Sequence, residues 1–234
     1  MEDCNNSRWP NPALCLIGKW LHIAPEGVVV SLIIAALALV LWLANLGWLA
    51  LPLLVFALAV ASFFRDPVRT APDRAGVVTS SADGKITDIA EGSPPGADGQ
   101  LCRRVSVFMS PLNVHVNRAP IAGEVIAVDH TPGEFMAAFR DHASERNERN
   151  AIVIRDPEGR PYVMVQIAGY LARRIVCRLR RHDKIQQGQR VGLIMFGSRV
   201  DHFFPLEYCL TVARGDRVRA GSSVLGELRR PEPG

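Results

Sequence analysis

A run without any charged residue extends from Val28 to Phe64. A single membrane-spanning helix needs about 20 apolar residues, and this run is long enough for nearly two. Asn45, Gly47 and Pro52 interrupt the apolar pattern, and residues 45–47 are typical of a turn. We therefore predict two apolar helices, at about 28–44 and 48–64, that form a hairpin. Each helix is close to the shortest length that spans a bilayer, so the pattern fits either a spanning or a re-entrant hairpin.

Basic residues flank this run on both sides, whereas its turn carries no charge; they are Arg8 and Lys19 before it, and Arg65, Arg69 and Arg74 after it. Basic flanks tend to stay in the cytoplasm, so we expect the inner cell membrane, with both ends of the hairpin on the cytoplasmic side. A cleaved signal peptide fits poorly, because a long polar segment precedes the run and no small-residue cleavage site is evident. The alternative is a buried core hairpin of a soluble protein.

The composition changes abruptly after residue 64, and short β-branched runs bounded by Gly, Pro and Asp follow at 77–79, 105–109, 123–128, 152–154, 162–167, 191–196 and 224–228. Such spacing predicts a mainly β (α+β) fold, a compact β-sandwich or barrel-like domain at 65–234 behind an N-terminal segment at 1–64. Residues 135–148 are predicted as one helix or an ordered loop. Segments 119–125 and 215–221 are similar to hairpins of lipoyl and biotinyl carrier domains, but neither has the lysine that a carrier needs.

Charge and cysteine content limit the partners. The net charge is +4, and Lys19, Lys85 and Lys184 are the only lysines, so the basic residues are nearly all arginines. This balance favours anionic surfaces without naming one. Among the possible partners, we expect no nucleic acid. Five arginines between 173 and 181 fit either anionic lipid headgroups or a solvated basic face. The five cysteines are scattered without CxxC or Cys/His spacing, which indicates free thiols and no metal site.

Within residues 193–200, an apolar strand-like run leads into Gly197-Ser198, and the charged Arg199 follows at once. Glycine permits strained backbone geometry, and the adjacent hydroxyl of Ser198 is placed to attack the Gly197 carbonyl. That attack exchanges the amide for an ester, whose elimination splits the chain and, after hydrolysis, leaves a pyruvoyl group. Gly-Ser pairs also occur at 92–93 and 221–222, and a simple turn is the alternative interpretation.

Two further residues have the chemical types that activate a serine. His115 lies in a strand-like segment and can accept the serine proton, and Asp83, in an Asp-Gly turn, can fix the tautomer of a histidine. Sequence spacing does not establish that Asp83, His115 and Ser198 meet. Asp83 also fits a turn-forming role, and His115 also fits a hydrogen-bonded structural role.

Together these motifs resemble the short bacterial kind of phosphatidylserine decarboxylase over almost the whole chain. The resemblance rests on residues 23–27 before the hairpin and 64–67 after it, on Ala82-Asp83-Gly84, and on Ser110-Pro111 with His115. It continues through 131–135, 147–150 and Phe196-Gly197-Ser198. One position departs from the pattern: longer family members have a second histidine three residues after the first, where this chain has Arg118.

The resemblance implies self-cleavage between Gly197 and Ser198, giving a β chain of 1–197 and an α chain of 198–234 that form a heterodimer; a higher oligomer is left open. Ser198 would become a pyruvoyl cofactor that forms a Schiff base with phosphatidylserine and promotes its decarboxylation to phosphatidylethanolamine and CO2, in phospholipid biosynthesis. Asp83 and His115 would belong to the processing and catalytic machinery, with their division of labour undecided.

Two other functions compete with this interpretation. A membrane-anchored, non-catalytic β-rich binding module would have an ordinary turn at Gly197-Ser198 and an intact chain. A serine hydrolase using Ser198 and His115 is weaker, because no GxSxG motif is present.

Overall fold

The computed structural model describes residues 12–95, 101–133, 147–169, 174–195 and 198–229. The chain divides into two compact units, Met1–Val68 and Arg69–Gly234. The predicted segment at 135–148 therefore lies almost entirely outside the described residues, as do Phe196 and Gly197.

The first unit is helical, with α1 at Pro12–Leu21, α2 at Pro25–Leu43 and α3 at Gly47–Phe63. Helix α2 begins three residues before the predicted start, because Pro25 occupies the first turn, where its missing N–H costs no hydrogen bond. The turn falls at 44–46, where Asn45 has a φ of 60°. Pro52 lies inside α3 and does not end it. Helices α2 and α3 pack against each other, so the predicted hairpin is confirmed.

Helix α2 is long and apolar enough to cross a membrane, with a mean hydropathy of 2.5 over its best window. Helix α3 is apolar but shorter. Both helices carry large apolar side chains that the rest of the protein leaves exposed, among them Ile33, Leu43, Trp48 and Leu58. Such a surface is typical of helices that contact lipid or another protein. The first unit is thus suited to anchor the protein in a membrane.

The second unit consists of fourteen strands within its described residues, and the predicted mainly β class is confirmed. They are β1 Val77–Thr79, β2 Gly84–Gly92, β3 Cys102–Met109, β4 Val116–Arg118, β5 Gly123–Thr131, β6 Arg149–Arg155, β7 Pro161–Ile167, β8 Ile175–Cys177, β9 Lys184–Ile185, β10 Arg190–Ile194, β11 Ser198–Phe204, β12 Tyr208–Leu210, β13 Arg217–Val218 and β14 Val224–Leu228.

These strands pair antiparallel in three sheets. The largest has eight strands in the order β13-β2-β3-β11-β7-β6-β5-β9, and two three-stranded sheets have the orders β4-β10-β8 and β1-β14-β12. A large apolar cluster joins the sheets and includes Val107, Ile152, Met164, Ile194 and Phe204. A second, smaller cluster lies on the opposite face of the large sheet, around Val163, Val165 and Phe203. Strand β11 is therefore buried on both faces, and every residue in it is buried.

Candidate functional site

Ser198 is the first residue of β11, which pairs with β3 on one side and β7 on the other. Its side chain has 0% exposure, and its register partner is Met109 of β3. The Ser198 Oγ donates a hydrogen bond to the Met109 Sδ at 3.4 Å. A thioether is a weak acceptor and is not a base, so this contact holds the hydroxyl without removing its proton. Since Gly197 lies outside the described residues, the predicted cleavage site is described on its Ser198 side.

His115 lies immediately before β4, with 2% exposure. Its backbone oxygen accepts the N–H of Ile194 at 3.3 Å. Ile194 is the last residue of β10, which pairs with β4 through Leu193 and Val116 and leads directly to Ser198. The sheet therefore brings the backbone of His115 next to the strand that precedes Ser198. The catalytic role of His115 stays a prediction.

Asp83 ends a buried bend at 80–83 that leads into β2. Its Oδ2 accepts a hydrogen bond from the Arg69 Nη2 at 2.8 Å, and its Oδ1 accepts the backbone N–H of Ala220 at 2.8 Å. Both partners are distant in sequence, so no local pattern reveals them. From the sequence, Arg69 is identified only as one of the basic residues that flank the apolar run. These two contacts hold the bend to the Arg69 side chain and to the backbone of Ala220. The catalytic role of Asp83 also stays a prediction.

One residue that the sequence argument did not select, Asn117, contacts the segments that carry the predicted site residues. Its Nδ2 donates to the backbone oxygen of Ser81, in the same bend as Asp83, at 3.3 Å. The same Nδ2 lies 3.8 Å from the Met109 Sδ, the sulfur that also accepts the Ser198 hydroxyl. Because Asn117 is also two residues beyond His115 in the chain, it joins the bend, the His115 segment and the start of β11. Its proximity to His115 is the only sequence signal that could have found it.

His202, which shows no pattern in the sequence, is fully buried beneath the same bend. Its Nε2 accepts the backbone N–H of Ser81 at 3.4 Å, so its hydrogen lies on Nδ1, which is 2.6 Å from the Tyr162 hydroxyl oxygen. Burial lowers the pKa of His202 from 6.5 to about 3, because water no longer stabilises the charged ring. Burial likewise raises the pKa of Tyr162 well above its ordinary value. Both side chains are therefore neutral near pH 7.

The residue after Ser198 lies on the other face of β11. Arg199 and Asp201 are 7% and 2% exposed; the Arg199 Nη2 donates to the Asp201 Oδ2 at 3.1 Å, and its Nε lies 2.9 Å from the Oδ1. Their cross-strand partners on β7 are the apolar residues Ile167 and Val165. This buried ion pair is invisible to hydrophobic patterning, which is why the sequence argument did not predict β11 as a strand.

The predicted basic segment is only partly described, since Arg173 lies outside the described residues. Arg174, Arg180 and Arg181 are exposed and Arg178 is half-buried. The backbone oxygen of Arg174 accepts the N–H of Met195, at the end of β10 nearest Ser198. One arginine of this segment therefore lies at the same end of the sheet as the candidate site.

Comparison with known proteins identifies the family. The model of the phosphatidylserine decarboxylase family matches residues 56–226, which is most of the chain. The chain belongs to the phosphatidylserine decarboxylase family.

Curated relatives support this membership over nearly their whole lengths. The chain is 48% identical over 197 residues to the phosphatidylserine decarboxylase proenzyme of Mycolicibacterium smegmatis, covering 83% of this chain and 85% of that protein. It is 43% identical over 228 residues to the proenzyme of Zymomonas mobilis, covering 94% and 89%, and 41% identical over 223 residues to that of Ralstonia nicotianae, covering 95% and 99%. The predicted family and enzyme class are confirmed. The word proenzyme in the relatives' names indicates a family whose members process themselves.

Proposed function

We propose that this protein decarboxylates phosphatidylserine to phosphatidylethanolamine through a pyruvoyl group that it makes from its own Ser198. The observation that carries the proposal is the placement of Ser198 at the first position of a fully buried central strand, in a chain of the phosphatidylserine decarboxylase family. A serine in an ordinary surface turn would have its hydroxyl in water. This one is held inside the core by Met109.

We propose that cleavage precedes Ser198 and leaves the chains 1–197 and 198–234 associated. The pairing of β11 supports their association, because seven of its residues pair with β3 and five with β7 of the first chain. Strand β14, also in the second chain, pairs with β1 of the first. These backbone hydrogen bonds and the shared core are independent of the peptide bond before Ser198, so the two products stay together as a heterodimer.

The residues present fit a group that forms in place. Ser198 supplies the atoms, and its small side chain contacts the Met109 sulfur, which the Asn117 amide also approaches. A pyruvoyl group supplies an electron-withdrawing carbonyl that accepts electrons as CO2 leaves the substrate. A buried site strengthens the hydrogen bonds that hold such a carbonyl and keeps water from competing for them.

His115 is proposed as the group that moves protons at this site, taking the proton of the Ser198 hydroxyl during cleavage and later delivering one to the substrate carbon. The backbone contact of His115 with Ile194 of β10 supports this role, because Ile194 is four residues before Ser198 in the chain. Asp83 is proposed to belong to the same machinery. Its fixed partners, Arg69 and Ala220, support a role in keeping the bend that contacts Asn117 and Arg118 in one conformation.

We further propose that α2 and α3 anchor the protein in the inner membrane, with the β-rich unit on the cytoplasmic side. The apolar surfaces of both helices and the basic residues that flank them support this location. Anchoring in the substrate's own bilayer raises the local concentration of substrate without any added contact.

The deciding experiment is intact-mass spectrometry of the purified protein beside its Ser198→Ala variant. We expect the unaltered sequence to give two fragments, the smaller one without a free N-terminal amine, and the variant to give one chain of 25.7 kDa. Ser222→Ala is the matched control, because Ser222 also follows a glycine, and it should cleave normally.

Activity is measured in parallel as CO2 released from phosphatidylserine labelled in the serine carboxyl group. It should be lost in Ser198→Ala and kept in Ser222→Ala. Normal cleavage in Ser198→Ala, or an uncut protein that releases CO2, would contradict the proposal. An uncut and inactive protein would favour the binding module instead.

A further inference from the structure

Three buried carboxamides form a hydrogen-bonded row that ends at Asn117, whose amide approaches the same Met109 sulfur as Ser198. The Asn150 Nδ2 donates to the Gln166 Oε1 at 2.8 Å, and the Gln166 Nε2 donates to the Asn117 Oδ1 at 2.8 Å. Their exposures are 1%, 0% and 0%. Asn150 and Gln166 are cross-strand partners in the eight-stranded sheet, whereas Asn117 belongs to the β4-β10-β8 sheet, so the row crosses the core between two sheets.

This row fixes the orientation of the Asn117 side chain. Because its Oδ1 accepts from Gln166, its Nδ2 is directed to the other side, where it donates to the Ser81 oxygen and lies 3.8 Å from the Met109 Sδ. A buried amide that is held at both ends cannot reorient without losing hydrogen bonds, which is costly in a core. The row therefore aims one N–H of Asn117 at the sulfur.

The Met109 sulfur is a shared acceptor. The Ser198 Oγ lies 3.4 Å from it, so the serine hydroxyl and the Asn117 amide converge on one atom. Sulfur accepts hydrogen bonds weakly, so the fixed N–H of Asn117 loses little if a stronger acceptor forms within its reach while the amide keeps its other bonds. The strongest acceptor that can arise here is an oxygen that gains negative charge when Ser198 reacts.

We propose that Asn117 is a catalytic residue of self-cleavage, donating through Nδ2 to the oxygen that becomes negatively charged beside Ser198. As the Oγ bonds to the preceding carbonyl carbon, the electron pair of the C=O bond moves to its oxygen. That pair then returns, the C–N bond breaks, and the nitrogen takes up the proton that the hydroxyl gave up. The inference rests on the proposed self-cleavage at Ser198.

The charges around β11 favour a neutral donor in this role. Arg199, the cation next to Ser198 in sequence, is on the opposite face of the strand, where Asp201 pairs with it. On the face of Ser198, the next residues are Val200 and His202, the latter neutral at pH 7. Negative charge that forms in such surroundings depends on fixed hydrogen-bond donors, and a side-chain amide is a common one.

The test is the rate at which purified precursor cleaves itself after synthesis at low temperature and transfer to working temperature. We expect Asn117→Ala to slow cleavage about 100-fold, as removal of one such donor does in other enzymes. The matched control is Asn147→Ala, since Asn147 is 1% exposed and its Nδ2 donates to the Ala168 oxygen at 2.7 Å. It loses a similar buried hydrogen bond, to a backbone oxygen outside the carboxamide row.

Two further measurements separate a catalytic role from a structural one. Thermal unfolding of each variant in the Ser198→Ala background compares stabilities in the uncut form. Hydroxylamine cuts the ester that forms before chain cleavage, so a brief hydroxylamine pulse measures the attack by Ser198 separately from the later elimination. Asn117→Ala should give less hydroxylamine-cut product than Asn147→Ala, even where the two are equally stable.

Gln166→Leu provides a second route, because it removes the group that orients Asn117 and leaves Asn117 in place. We expect slower attack in this variant too, by less than in Asn117→Ala, and it decides the question if Asn117→Ala yields no folded precursor. Attack rates equal to those of Asn147→Ala in either variant would overturn the role of Asn117. A wild-type chain that never cleaves would instead contradict the proposed function.

Discussion

The buried ion pair of β11 allows a prediction in which one substitution is worse than two. Replacing Asp201 by Leu leaves the guanidinium of Arg199 buried, at 7% exposure, without the carboxylate that faces it. Breaking a buried pair in this way costs about 3–5 kcal/mol, because the remaining charge is no longer compensated. No carboxylate is among the directly opposite residues, which are Ile167 and Val165 on β7 and Phe108 and Ser106 on β3.

The double variant Arg199→Met with Asp201→Leu should recover most of that loss. Both charges are then gone, and side chains of comparable volume pack against the same apolar neighbours, a change that is often neutral or stabilising. For a chain of this size, about 1 kcal/mol corresponds to a shift of 2–4 °C in Tm, so Asp201→Leu should lower Tm by about 6–20 °C. The double variant should lie within a few degrees of the parent.

The assay is thermal unfolding of the whole protein in detergent, followed by far-UV circular dichroism. All variants carry Ser198→Ala, so that each remains a single chain and cleavage cannot alter the measurement. Arg199→Met alone completes the double-mutant cycle. If Asp201→Leu unfolds at the parent's temperature, or if the double variant loses as much as the two single changes together, the assignment of a coupled buried pair is wrong.

Two more outcomes follow from the core. Because His202 has a pKa of about 3 when folded and 6.5 when unfolded, the unfolded chain binds the extra proton between these values, and stability falls as pH is lowered below 6.5. From pH 7 to pH 5 this residue should account for about 2 kcal/mol of loss, a part of the slope that disappears in His202→Gln, as denaturant titrations at both pH values would reveal. A Cβ at Gly192 would lie 1.8 Å from the Val176 oxygen, so Gly192→Ala should cost about 3 kcal/mol or more and lower the yield of folded protein. At Gly92 nothing lies within 4 Å of an added Cβ, so Gly92→Ala should leave the yield of folded protein unchanged.

The buried position of Ser198 agrees with its proposed role, because it keeps the hydroxyl away from water before cleavage. A hydroxyl at the surface would meet water in every conformation, whereas this one is buried and bound to a thioether. The Met109 thioether that accepts its hydrogen bond is not a base, so the hydroxyl keeps its proton there. In the proposed reaction, chemistry at such a site depends on a few donors and bases, and His115 and Asn117 both lie in or next to β4.

Local sequence was sufficient where the physics is local. The uncharged run required helices, because every backbone polar group in an apolar medium must bond within its own segment, and α2 and α3 follow the predicted hairpin to within a few residues at each end. Short β-branched runs between turn residues predicted the mainly β class, because strand preference and turn formation are also properties of a few neighbouring residues. The family motifs selected Ser198, His115 and Asp83 as residue types suited to one reaction.

Only the tertiary structure decided what surrounds these residues. The sequence of strand β11 does not alternate between polar and apolar residues. Its polar side chains are buried there because Arg199 pairs with Asp201 and His202 hydrogen-bonds to Tyr162, inside a core built from distant segments. The row from Asn150 to Asn117 and the contact of Arg69 with Asp83 likewise join residues far apart in the chain. Sequence by itself determined which groups this protein has, since their chemistry belongs to single residues. Their partners came from the folded sheets, because burial and hydrogen-bond geometry exist only once distant strands are paired.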